Sequence, residues 1–371
     1  MQPLAGAALR WRKGVRKATD EASAVHRASR RLEDGMSTTA HDTPQSLALD
    51  PATRLALYRT MVLARTFEEA VLREYHADKG PGFDIGKGLV PGEMHLAAGQ
   101  EPVAAGVCAH LTGDDAVTAT HRPHHFAIAH GVDLDKMTAE IFGRETGLGR
   151  GRGGHMHLFD PTVHFSCSGI IAEGYPPALG QAYAFKQKGT GRVAVAVTGE
   201  GAANQGAFHE SLNLAALWQL PVVFVVEDND WAISVPRDAS TSVPSNASRG
   251  AAYNMPAERV ENDVEAIYAA ADRAVARARA GQGPTLLEVH TVRLWGHFEG
   301  DAQGYRPELA DVPSMDPIPR YEQRLRDEGV LDDAVIARTR QEAQARVEQA
   351  IAFAKDSPVP DPATASSYVF S

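Results

Sequence analysis

The chain has 371 residues, 43% hydrophobic and 23% charged, with 33 glycines, 22 prolines and a formal net charge of −10. That charge argues against a nucleic-acid binder, which needs a basic face, and no apolar run approaches the roughly 18 residues of a membrane span. Two cysteines, Cys108 and Cys167, with no CxxC pair, exclude a disulfide framework and suit a reducing compartment.

Residues 1–35 carry eight basic and four acidic side chains, and Arg10, Arg12, Lys13, Arg16 and Lys17 all precede the first acid. A basic start suits a transit peptide, but Asp20, Glu21, Glu33 and Asp34 break that pattern, and no apolar core marks a secretory signal. Residues 1–50 are expected as a disordered extension, with Met36 as an alternative start, and residues 51–371 as the folded domain. The expected location is cytoplasmic, or the mitochondrial matrix if the extension is a transit peptide.

Residues 52–76 place Leu55, Tyr58, Met61, Val62, Phe67 and Val71 at helical spacing. Residues 79–92 hold five glycines and two prolines and read as loop. A helix over 100–111, a buried strand over 116–120 and a helix over 133–142 follow. Residues 143–162 are rich in glycine and arginine, irregular, and long for a passive connection. Residues 177–188 read as helix. A β-branched run over 192–198 leads to Gly199-Glu200-Gly201, a helical stretch, and a second apolar run over 221–226 that ends at Glu227-Asp228-Asn229. A loop with the composition of a mobile segment covers 234–251. Then come a helix over 264–280, stopped by Gly281-Gln282-Gly283-Pro284, a strand over 285–294, a polar loop over 296–312, and helix over most of 317–355. Strands alternating with helices predict an α/β fold with a mostly parallel sheet covered on both faces and C-terminal helices.

The unit over 192–229 is a βαβ motif whose acid, Glu200, and amide, Asn229, stand at strand ends, where ligands of open parallel sheets bind. A carboxylate and an amide oxygen beside a glycine turn at a helix start suit a magnesium–diphosphate group. Oxygen ligands suit magnesium, glycine lets backbone approach, and helix N–H groups face the anion. Taken alone, Glu200 also reads as a helix-start carboxylate favoured by the dipole. Four loops carry further chemistry: Gly92-Glu93-Met94-His95 with Gly99-Gln100-Glu101; His121-Arg122-Pro123-His124-His125; Gly151-Arg152-Gly153-Gly154-His155-Met156-His157; and Trp295-Gly296-His297-Phe298. They hold seven of the 15 histidines, and this clustering favours proton transfer over separate structural roles. Arg122, Arg150 and Arg152 read either as surface charges or as phosphate contacts, with Arg122 preferred because it follows a predicted strand. Two other readings are open: zinc on His121, His124 and His125, which lacks a cysteine partner, and a nicotinamide dinucleotide fold, for which GEGAAN lacks the third glycine.

The order of these loops resembles the alpha subunit of the thiamine-diphosphate-dependent 2-oxo acid dehydrogenases, the pyruvate, branched-chain and acetoin group. Members carry a GDG turn, about twenty-six residues, then NN; here Gly201 and Asp228 enclose twenty-six residues and the pair reads Asp228-Asn229. The resemblance spans roughly residues 54–307 and includes AANQGAFHESLNLAALWQLPVVFVVE, the GRGG-x-MH loop and GHFEGDAQ. It implies that Glu200, the Asn229 amide and the Trp231 backbone carbonyl hold Mg2+. It further implies that His121, Arg122, Gly169, Ile171, Gly201 and Ala202 contact thiamine diphosphate. His95 and His297 then face the thiazolium and substrate, and His124 is a further active-site-loop histidine.

The reaction implied is attack of the cofactor on a carbonyl, loss of carbon dioxide from a 2-oxo acid or of acetaldehyde from acetoin, and acyl transfer to a lipoyl-bearing acyltransferase. A separate beta subunit normally supplies the glutamate that activates the cofactor, which implies an α₂β₂ heterotetramer. Three residues depart from the family pattern: Glu200 replaces Asp, His121 replaces Tyr, and Phe298 stands where some relatives carry a regulated serine. The first two leave room for a cofactor-weakened structural or regulatory subunit. The GHFEGD sequence leans toward acetoin-type or bacterial pyruvate-type members.

Overall fold

The computed structural model describes residues 49–77, 79 and 84–367; the expectations for residues 1–48 lie outside them. Pro51–His76 forms α1. Asp50 caps it, its Oδ1 accepting from Ala52 N at 2.9 Å and Thr53 N at 3.0 Å, while Pro51 takes a position whose N–H has no helical partner. The helix expected over 100–111 is shorter, α2 (Glu101–Cys108), and β1 follows (Ala116–Ala119).

Next comes a helix that sequence reading takes for a loop: α3 (His124–His130), closed by Gly131 at φ +89°. Its three histidines mask the apolar period, but Phe126 and Ala127 still turn into the core. After α4 (Leu134–Ile141) the irregular stretch ends in two short strands not read from sequence, β2 (Phe159–Asp160) and β3 (Phe165–Cys167). Then follow α5 (Tyr175–Lys188), β4 (Ala194–Gly199), a 3₁₀ turn (Ala202–Asn204), α6 (Gly206–Leu217) and β5 (Val222–Asp228). The expected helix start directly behind Gly201 is corrected here, because the 3₁₀ turn postpones α6 to Gly206.

The loop expected over 234–251 carries short regular elements. A hairpin of β6 (Trp231–Ala232) and β7 (Val235–Pro236) leads into the single turn α7 (Arg237–Ser240) and a 3₁₀ segment (Asn246–Tyr253). Glu288 pins that segment, accepting from Asn246 N and Ala247 N, each at 2.9 Å. The chain continues through β8 (Ala257–Glu261), α8 (Val264–Arg279), β9 (Thr285–His290), α9 (Pro317–Asp327) and α10 (Asp333–Asp356).

The main sheet has the order β2-β3-β1-β4-β5-β9-β8, parallel throughout except for β2 against β3. Its central strands are apolar on both faces, and their alternation sorts the core into two layers. Val195, Val197, Val223, Val225, Leu287 and Val289 face α1, α2, α4, α8 and α10. Ala194, Ala196, Val222, Phe224, Val226 and Leu286 face α5 and α6. Among the described residues no helix is long and apolar enough to cross a membrane.

Candidate active site

From β1 the sheet is extended to one side by β3 and to the other by β4, so their carboxyl ends border a topological switch point. A cavity of about 640 Å³ opens there. It is lined from the ends of four parallel strands: His121 and Arg122 after β1, Glu200, Gly201 and Ala202 after β4, Asn229 and Trp231 after β5, Arg293 and His297 after β9. His95, Gly169 and Ile171 complete the wall, so every site residue expected from the sequence lines this cavity except His124. His124 is fully buried at the start of α3, its Nδ1 3.1 Å from Glu68 Oε2 and its ring edge-on to Phe67.

Glu200 and Asn229 meet. The backbone N–H and the amide of Asn229 donate to Glu200 Oε2 at 3.3 and 3.5 Å. With Nδ2 turned to the carboxylate, Asn229 Oδ1 is left buried without a hydrogen-bond partner. A buried oxygen without a partner carries a desolvation cost that a cation relieves. Burial raises the Glu200 pKa, and burial together with the Glu200 charge pushes Asp228 up to about 7. Hard oxygen donors in a buried, acid-rich corner fit a divalent magnesium ion. Gly201 is required by close approach, since a Cβ there would lie 2.4 Å from Ala232 Cβ. The chain folds back at this point through Asp230 at φ +66° and Ile233 at φ +54°, both in the left-handed region. Arg237 holds the bend, its N–H donating to Asp230 O at 2.9 Å and its Nε 3.2 Å from Asp228 Oδ2.

At the other side of the cavity, one ring nitrogen from each of His95, His121 and His297 lies within 4.8 Å of the others. Burial and then the Arg122 charge hold His95 and His121 well below the usual imidazole range, and burial, Arg122 and Arg293 push His297 down to about 3. These rings are neutral at physiological pH. Arg122 Nη1 donates to Leu96 O at 2.8 Å, while Nη2 reaches the carbonyl and Nδ1 of His297. Burial and the neighbouring Arg293 lower Arg122 to about 9.

The zinc trio of His121, His124 and His125 is not brought together. His125 Nε2 pairs with Glu227 Oε1 at 2.8 Å, and His124 with Glu68. The sequence gives no role to Arg293 and places His155 only among the clustered loop histidines. Arg293 is fully buried at the end of an apolar strand, an unusual position for a cation and the one signal available beforehand. His155 sat in view in its loop, without a partner to suggest what it does.

A model of the dehydrogenase E1 component family matches residues 58–363. The chain is 43% identical over 321 residues to the alpha subunit of acetoin:2,6-dichlorophenolindophenol oxidoreductase of Bacillus subtilis, covering 85% of this chain and 93% of that protein. It is 40% identical over 332 residues to the protein of the same description from Cupriavidus necator, covering 88% and 97%. It is 37% identical over 327 residues to the pyruvate dehydrogenase E1 component subunit alpha of Porphyra purpurea, covering 85% and 92%.

Proposed function

The chain belongs to the dehydrogenase E1 component family, and from that premise we propose that it is the alpha subunit of a thiamine-diphosphate-dependent dehydrogenase component. It cleaves acetoin or a pyruvate-type 2-oxo acid and passes the acyl group to a lipoyl-bearing acyltransferase. The observation that carries this reading is the meeting of Glu200 with Asn229, whose buried Oδ1 has no partner, beside the glycine turn at the strand ends.

Glu200, the Asn229 amide oxygen and the Trp231 carbonyl would hold Mg2+. Gly201 and Ala202, with Arg122, would hold the diphosphate; Gly169, Ile171 and His121 would flank the rings. Thiamine diphosphate supplies, when bound, the nucleophilic carbon and the electron sink that no side chain here provides. The chain's own residues do the rest. His95, buried, and His297, half-buried, are neutral and give hydrogen-bonding nitrogens to the reacting carbonyl without adding a competing charge.

A beta subunit completes the site. Ile170, Ile171 and Ile233 line the cavity yet are 63%, 50% and 55% exposed, which suits a surface finished by another chain. Cys108 and Cys167 are free and buried, which suits a reducing cytoplasm. Calorimetry with thiamine diphosphate and magnesium on the chain co-purified with its beta partner tests the proposal, and saturable binding of both is expected. No binding under those conditions would overturn it. Product assays with acetoin, pyruvate and branched 2-oxo acids on the same complex then fix the substrate.

A further inference from the structure

We propose that His95 and His297 face the reacting carbonyl as opposite tautomers, one a bare acceptor and the other an N–H donor, and that His155 sets the first and Arg293, beside Arg122, the second. This rests on the reading that the cavity is the active site, and it gives two histidines of similar appearance different work.

The assignment follows from which partners are able to donate. The backbone N–H of His95 donates to His155 Nε2 at 3.1 Å, so that nitrogen carries a lone pair and no proton. His95 Nδ1 lies 3.3 Å from the same nitrogen, and a bond there requires the proton on His95 Nδ1. A neutral imidazole has one N–H, so Nε2 of His95 is left bare. His297 is held the other way. Its Nδ1 lies 3.1 Å from Arg122 Nη2 and 3.3 Å from Arg293 Nη1. A guanidinium only donates, so Nδ1 of His297 is the lone pair and Nε2 carries the proton.

Both locks are braced. Arg293 Nη2 donates to Tyr305 Oη at 3.0 Å, Tyr305 Oη donates to Asp301 Oδ2 at 2.6 Å, and Asp301 Oδ2 accepts from the His297 backbone N–H at 2.8 Å. His155 is buried, its ring stacked on His95 at 5.5 Å between centroids. Burial and the nearby cations keep both rings neutral, the condition under which tautomer choice matters. With Nδ1 committed in each ring, Nε2 is the nitrogen left for chemistry. His297 Nε2–H then donates a hydrogen bond to the carbonyl oxygen as negative charge develops on it. With acetoin, His95 Nε2 accepts the proton of the hydroxyl on the departing carbon as the carbon–carbon bond breaks and that carbon leaves as acetaldehyde. With a 2-oxo acid, carbon dioxide leaves without a hydroxyl proton and His95 Nε2 is an acceptor only. His155 and Arg293 are positioning residues, acting only through these two rings.

The test is nitrogen-15 magic-angle-spinning NMR of the alpha–beta complex with ring-labelled histidine, assigned through His95→Gln and His297→Gln. Wild type is expected to show His95 protonated at Nδ1 and His297 at Nε2 from pH 6 to 9. His155→Phe is expected to give His95 mixed tautomers and lower kcat on the order of 100-fold with little change in KM, whereas His155→Gln, which keeps an acceptor, restores both. Arg293→Met is expected to loosen the His297 tautomer, and Arg293→Lys to hold it. A wild-type spectrum with His95 protonated at Nε2, or with His297 bare there, overturns the inference whatever the variants do. Thiamine diphosphate titrated into the same complex keeps the two readings apart. Binding with the wrong tautomers overturns this inference alone, and absence of binding overturns the active-site reading and this inference with it.

Discussion

Replacing Gly201 by alanine is the sharpest probe of the metal corner, because its effect is worked from a single distance. The added Cβ would lie 2.4 Å from Ala232 Cβ, whereas ordinary contact begins at 3.4 Å, so the β6–β7 hairpin must retreat by about 1 Å. Crowding of this kind costs about 1–3 kcal/mol of stability, a fall of a few degrees in melting temperature. The effect on the metal is larger. Asn229 and Trp231 sit on the segment that moves, and magnesium tolerates only about 0.2 Å around a ligand distance of roughly 2.1 Å. Calorimetry of the alpha–beta complex is expected to show magnesium–thiamine diphosphate affinity lowered on the order of 100-fold, about 2.7 kcal/mol. Removing the obstructing methyl in Gly201→Ala/Ala232→Gly is expected to restore most of it. Unchanged binding in the single variant, or no recovery in the double variant, refutes the packing argument.

Further expectations follow from other sites. Glu200→Gln is expected to raise the magnesium requirement substantially while Glu200→Asp is tolerated; identical magnesium titrations for wild type and Glu200→Gln would reduce Glu200 to a structural charge. Hydrogen bonding to Asp230, against the opposing effect of burial, raises His290 to about 9, so its stabilising contribution is complete below about pH 6.5 and lost as pH rises through 9. Unfolding measured from pH 6 to 10 is expected to show that loss in wild type and not in His290→Gln, and an equal loss in both sinks the assignment. Arg65 Nε donates to the buried Glu101 at 2.6 Å and its Nη1 to Asp316 at 2.8 Å. Arg65→Met therefore leaves a buried carboxylate unpaired, and urea denaturation is expected to report a loss of about 3–5 kcal/mol, partly recovered in Arg65→Met/Glu101→Gln.

The sheet and the meeting of Glu200 with Asn229 were legible because both write themselves into local sequence. Ala194 to Val197 and Val222 to Val226 are strands by residue type and length, and Glu200 and Asn229 stand at strand ends where a ligand is expected. His124 shows where that logic stops. It shares a loop motif with His121, yet the helix that begins at His124 rotates it away from the cavity and onto Glu68, 56 residues earlier in the chain. The helix itself was hidden because its stability comes from burying Phe126 and Ala127 in a core assembled by other elements, not from its own propensity. The roles of Arg293 and His155 were hidden for a related reason. Each acts through the ring of another histidine, His95 60 residues before His155 and His297 four residues after Arg293, and a tautomer is a property of the pair.

The sheet also bears on how the chain survives its own folding. β4 and β5 carry the apolar runs Ala194–Val197 and Val222–Val226, segments that pair readily with copies of themselves while unprotected. At one border of the finished sheet lies β8, in which Glu258, Arg259 and Glu261 interrupt the apolar pattern and only Val260 is buried. Arg273 reinforces that border through Glu258 at 2.7 Å. An incoming strand from another molecule would meet charges of both signs instead of an apolar ladder, so β8 acts as a gatekeeper against lateral strand addition. Neutralising Glu258 and Arg259, neither of which lines the cavity, is then a route to aggregation that leaves the active-site wall in place.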